Sequence, residues 1–105
     1  MKSLLVAAFL SGAFLAMEAQ AAGDPAAGEG KVAACAACHG TDGKGTAPIY
    51  PNLAGQSAAY LESAMKAYRD GERGGGMSAL MMPQAQGLSD EDIADMSAYY
   101  ASLEP

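Results

Sequence analysis

Both cysteines of the chain and its single histidine fall within five residues, Cys35-Ala36-Ala37-Cys38-His39. Four chemistries are open to two thiols and an imidazole at this spacing. A disulfide between Cys35 and Cys38 would close a ring too small to constrain much of the unfolded chain, so its contribution would be slight. A closed structural zinc site takes four ligands; three are offered here, and the fourth would have to be a borrowed carboxylate. A dithiol redox pair of the thioredoxin kind sits at a strand-to-helix junction in a βαβ setting, whereas no stretch of this sequence alternates convincingly as a strand. The fourth chemistry is covalent haem. Thiols three residues apart at the end of a helix can reach the two vinyl groups along one edge of the macrocycle, and the adjacent imidazole then points at the iron. Cys-x-x-Cys-His is the c-type attachment signature.

The rest of the chain asks for such a group. Met1-Lys2-Ser3 and the apolar run Leu4 to Leu15, followed by Ala19-Gln20-Ala21, read as a secretory leader cleaved after Ala21. The run is well short of the roughly 20 residues a membrane span needs. Residues 22–105 then form one small domain. Both phenylalanines, Phe9 and Phe14, leave with the leader, tryptophan is absent, and five tyrosines are the remaining aromatics. So short a chain of small side chains cannot easily stabilise itself by burial alone. The formal charge of −6 excludes a nucleic-acid binder, which would carry a basic face, and disfavours anionic lipid.

Three helices separated by glycine- and proline-rich loops position the cluster, and the class is all-α. The first is predicted from Pro25 to Cys38, with Asp24 as N-cap and Pro25 at the first helical position. Gly28 and Gly30 each cost it about 1 kcal/mol relative to alanine, which close contact with another element, expected at Gly28, would explain. Residues 40–55 read as a loop. The second helix starts after Ser57 and ends near Asp70, with Leu61, Ala64, Met65 and Tyr68 on one face. Residues 71–88 read as another loop; Arg69, Asp70 and Glu72 read as solvated charge, and Lys31 and Arg73 as sparse surface cations. Ser89 caps the third helix, Asp90, Glu91 and Asp92 fill its first turn, and Leu88 and Ile93 stand at staple positions; Ile93, Met96, Tyr99 or Tyr100 and Leu103 supply its buried face.

The stretches "GKVAACAACHGTDG", "PIYPNLAGQSAAYLESAMKAYRDGER" and "MMPQAQGLSDEDIADMSAYYASL" together resemble the class I c-type cytochromes, above all the short bacterial members and either half of the periplasmic di-haem cytochromes. The resemblance covers essentially all of residues 22–105. It implies a small cytochrome c fold around one haem c per chain, with thioethers at Cys35 and Cys38 and His39 as the proximal iron ligand. It implies that the carbonyl of Pro48 accepts a hydrogen bond from the second nitrogen of His39. Counting back seven residues from Leu88, as in the di-haem group, gives Met81 as the distal ligand; the Met-Pro pair of other small cytochromes favours Met82, and Met77 is a third candidate. The family's crossing of first and last helices would place Gly28 against Tyr99 or Tyr100. Tyr50, Leu53, Tyr60, Leu61, Met65 and Ile93 are expected to line the haem.

The function so implied is a soluble periplasmic electron carrier, not an enzyme. Its partners would be redox proteins: a quinol–cytochrome c reductase, a terminal oxidase, or a periplasmic reductase or dehydrogenase. No stable membrane insertion is expected. Ala36, Ala37, Ala79, Leu80 and Met82 would form a small apolar docking face. The rival readings are a cytochrome subunit of a larger redox complex, and a five-coordinate haem peroxidase or gas-binding protein.

Overall fold

The computed structural model describes residues 23–105, and the predicted leader lies outside them. Among the described residues there are five helices and no strand: α1 Pro25–Glu29, α2 Ala33–His39, α3 Ala58–Arg69, α4 Ser78–Ala85 and α5 Asp90–Ser102. The cap residues act as their chemistry dictates. Asp24 accepts from the Ala26 N–H with Pro25 opening α1, and Ser57 accepts from the Tyr60 N–H. Ser89 and Asp92 form a reciprocal capping box at the start of α5.

Two expectations need correction. The stretch 25–38 is two helices, not one. The chain turns at Gly30–Val32, where the Lys31 N–H returns to the Gly28 carbonyl. This break sends Val32 into the core and Lys31 toward α5. The second correction is α4, which occupies part of the stretch 71–88 read as loop. Pro83 lies inside it, near its C-terminal end, where its missing N–H removes one bond from a short helix.

α1 lies against α5, and α3 packs on both α5 and α4. The crossing of α1 and α5 is made at Gly28. A Cβ there would run into the Asp95 carbonyl and come within 2.9 Å of the Tyr99 Cβ, which identifies Tyr99 as the aromatic at the crossing. The core cluster is Val32, Leu61, Met96 and Tyr100, with Cys35, Leu53, Leu88, Tyr99 and Leu103 packed around it. Ile93 is completely buried. A side chain such as Leu61 or Ile93 contributes about 1.5–3 kcal/mol on burial, and few residues of this chain do so. Ile93 is the only large side chain among the described residues with less than 2 % exposure.

Candidate haem site

α2 carries the three residues singled out by chemistry. Cys35 and Cys38 are free, half-buried thiols, and His39 is buried at the helix end. The helix is fixed from behind. Thr46 donates both its backbone N–H, at 2.9 Å, and its hydroxyl, at 3.1 Å, to the Cys38 carbonyl. The Tyr99 hydroxyl donates to the Thr41 carbonyl at 3.0 Å, so α5 also holds the loop that leaves His39.

The His39 Nδ1 lies 2.8 Å from the Pro51 carbonyl oxygen. A carbonyl can only accept, so Nδ1 carries the proton and Nε2 keeps its lone pair. The partner is Pro51, not Pro48. Pro48 is exposed, in a turn that the Tyr50 N–H closes onto the Ala47 carbonyl. Pro51 begins a stretch anchored opposite the histidine. Leu53 and Ala54 donate to the Gly43 carbonyl at 2.7 and 3.0 Å, and Asn52 Oδ1 accepts from the Gly45 N–H at 2.8 Å. Gly43 adopts φ +75° to make this turn, a conformation glycine takes at no steric cost.

Burial pushes the Cys35 thiol above its ordinary range, favouring the neutral thiol over the thiolate. The Tyr100 hydroxyl lies beside it without hydrogen-bonding geometry, and this hydroxyl and the Ser97 Oγ are buried without partners among the described residues. No group of three or more His, Cys, Asp or Glu side chains gathers in a metal-holding arrangement there, so a zinc site lacks its remaining ligands.

The other expected pocket residues are distributed as follows. Leu53, like Cys35, packs on the core, and Leu61 is part of it. The Tyr50 ring meets the His39 ring edge-on, with centroids 6.5 Å apart. Met65, Met81 and Met82 are half-buried, whereas Tyr60 is 51 % exposed and Met77 55 % exposed. On α4 the half-buried face is Ser78, Met81 and Met82, ending at the fully buried Ala85, so both neighbouring methionines flank the inward side.

Two groups read as plain surface charge are structural. Lys31 donates to Asp95 at 2.7 Å and pairs with Asp92 at 3.1 Å, and the buried Asp95 also accepts from the Asp24 N–H at 2.8 Å. Arg69 donates to Asp90 at 2.7 Å and to the Leu88 carbonyl at 3.3 Å. No spacing rule announces either contact, because each joins segments far apart in sequence.

The residues fit covalent haem. Two free thiols stand one helical turn apart, and the adjacent imidazole has one nitrogen committed to a carbonyl and the other without a protein partner among the described residues. Apolar side chains that the polypeptide alone leaves half-covered lie on neighbouring elements.

Comparison with known proteins agrees. A family model for cytochrome c matches residues 25–104. The chain is 74 % identical over 83 residues to cytochrome c-554(548) of Halomonas halodenitrificans, covering 79 % of this chain and all of that relative. It is 45 % identical over 93 residues to cytochrome c4 of Azotobacter vinelandii, covering 83 % of this chain and 44 % of that protein. The crystal structure of reduced recombinant cytochrome c4 from Pseudomonas stutzeri superposes with a TM-score of 0.70 at 40 % identity, over 79 % of this chain and 47 % of that one. The chain thus spans all of the first relative and about half the length of the cytochrome c4 proteins. Its all-helical fold is the cytochrome c fold, and Cys35-x-x-Cys38-His39 is a single attachment site for covalent haem c. With the thiols, the imidazole and the fold in agreement, the chain belongs to the cytochrome c family, the electron-transferring haem c proteins.

Proposed function

We propose that this chain is a soluble one-electron carrier of the bacterial periplasm whose haem is held by Cys35, Cys38, His39 and Met81. The observation that carries the reading is the His39–Pro51 hydrogen bond at 2.8 Å, which fixes the tautomer and leaves Nε2 as a ligand one residue from the second thiol. Haem c, when bound, supplies a ferric–ferrous couple. Cys35 and Cys38 would hold it through thioethers, and His39 Nε2 and the Met81 sulfur would bind its iron. An imidazole and a thioether together favour electron transfer and raise the potential. The Pro51 carbonyl orients the ring and increases its basicity, while the apolar side chains of Leu53, Leu61 and Met65 exclude water.

Acid–base catalysis has little support. Asp92 is used in the capping box and Asp90 in the pair with Arg69. Electron exchange is assigned to the exposed, uncharged Ala37 on α2 and Ala79 and Leu80 on α4; partners of basic surface would be attracted to the acidic remainder, less so as salt rises. Export follows from the leader at residues 1–21, with residues 22–105 as the mature domain. A carbon monoxide titration of the reduced holoprotein tests the carrier reading. Slow or negligible binding at neutral pH is expected of a six-coordinate iron; rapid tight binding would favour the five-coordinate peroxidase or gas-binding alternative.

A further inference from the structure

The segment bearing Met81 and Met82 is held unequally at its two ends. On its N-terminal side residues 71–77 are all exposed. Arg73 keeps contact with α3, its guanidinium 4.7 Å from the Tyr68 ring centroid. Beyond it, a Cβ built at Gly74, Gly75 or Gly76 would meet nothing within 4 Å, so this strap places little restraint on α4.

The C-terminal side is gathered by one residue. Arg69, the last residue of α3, donates Nη1 to the Leu88 carbonyl at 3.3 Å and to Asp90 Oδ1 at 2.7 Å, and Nε to Asp70 at 3.0 Å. Its own carbonyl accepts from Gln86 Nε2 at 3.0 Å. Gln86 and Leu88 lie between the end of α4 and the cap of α5, so both chain directions of this junction are tied to one position. A planar guanidinium can serve several acceptors at once, which an ammonium on a flexible stem cannot do as well.

We propose that Arg69 is a positioning residue for the methionine face: by pinning the C-terminal end of α4 it sets how readily the sulfur ligand yields to an external one. The proposal rests on the reading of Met81 as axial ligand. Replacement by cyanide would break the iron–sulfur bond and form an iron–carbon bond, with the proton of hydrogen cyanide passing to solvent and the iron remaining ferric. The Asp90 carboxylate is 73 % exposed, so its share is screened; the guanidinium acts through the Leu88 carbonyl, while the Gln86 bond to the Arg69 backbone carbonyl is kept in Arg69→Ala and is tested separately by Gln86→Ala.

The test is the rate of cyanide binding to the ferric holoprotein, read beside its thermal unfolding. Arg69→Ala should bind about tenfold faster, as expected when a charge-assisted contact is lost from the closed state. Gln86→Ala should bind severalfold faster, and Asp90→Asn should stay within about twofold of the parent. Lys31→Ala, which loosens α1 from α5 instead, should lower the melting temperature without changing the rate. If Arg69→Ala binds at the parent rate, or if Lys31→Ala with an equal loss of stability binds equally fast, the proposal is overturned. Should Arg69→Ala fail to accumulate, Arg69→Lys and Gln86→Ala carry the same comparison. The parent's ferric spectrum separates the two claims: without a thioether charge-transfer band the ligand reading falls first, and the proposal with it.

Discussion

The Nδ1–H of His39 donates to the carbonyl of Pro51 across 2.8 Å, twelve residues along the chain, and in the proposed ligation this bond leaves Nε2 as the nitrogen that would face the iron. Pro51→Ala keeps a carbonyl at the position but frees the backbone φ that proline fixes. A weaker bond makes the imidazole less basic, so the reduction potential should rise, on the order of tens of millivolts. Pro48→Ala should leave it unchanged. Potentiometric titration of the two variants checks this, and equal shifts would assign the bond no special role.

Gly28 and Gly30 are expected to respond in opposite ways to alanine. A Cβ on Gly28 would strike the Asp95 carbonyl on α5, whereas at Gly30 the nearest atom is 3.6 Å away and φ is an ordinary −74°. Gly28→Ala should cost about 1–3 kcal/mol or more, since backbone must move to accommodate it. Gly30→Ala should be neutral or stabilise by up to about 1 kcal/mol. Denaturant unfolding measures both.

Acid should loosen the α1–α5 contact through Asp95. The Asp24 N–H and then Lys31 hold its carboxyl below the ordinary 3.8. That contribution is fully present above 3.8 and is lost as pH falls through the depressed value. Asp95, then Asp92, push Lys31 up to about 12 from 10.5; its contribution is present below 10.5 and lost as pH rises through about 12. The contribution of the Asp95–Lys31 pair to the melting temperature should therefore be constant between these limits. In Lys31→Ala the acid limb should move to higher pH, and an unmoved limb would show that the pair is not coupled to folding.

Tyr100 offers a test with an unusual sign. Its hydroxyl is buried without a hydrogen-bond partner, and leaving a polar group unpaired costs about 1–3 kcal/mol. Tyr100→Phe should therefore fold at least as stably as the parent. A loss above about 1 kcal/mol would mean that the hydroxyl donates to something in the holoprotein, for which the sulfur of Cys35 is the nearest candidate in chemistry and place.

The sequence made legible whatever rests on local chemistry. Ser57 and Ser89 announce α3 and α5, the apolar spacing from Ile93 to Tyr100 announces the buried face of α5, and Cys35-x-x-Cys38-His39 announces the site. Gly28 was legible because its cost in a helix required a reason. Glycines 74–76 and Pro83 concealed α4, since the tertiary support that holds this short helix on α3 leaves no periodic signal. Pro48 and Pro51 look alike from spacing; only the anchoring of residues 52–54 to Gly43 and Gly45 separates them. Lys31 and Arg69 read as solvent charge because their partners lie 64 and 21 residues away.

The central claim is an iron held between His39 and a methionine sulfur, with Met81 as that methionine. The ferric absorption spectrum of the purified holoprotein, with Met81→Ala and Met82→Ala alongside, tests it most directly. The parent and Met82→Ala should show the long-wavelength charge-transfer band of a thioether-bound haem, and Met81→Ala should lack it. A parent without the band would contradict His/Met ligation, and a band lost in Met82→Ala but kept in Met81→Ala would move the ligand to Met82.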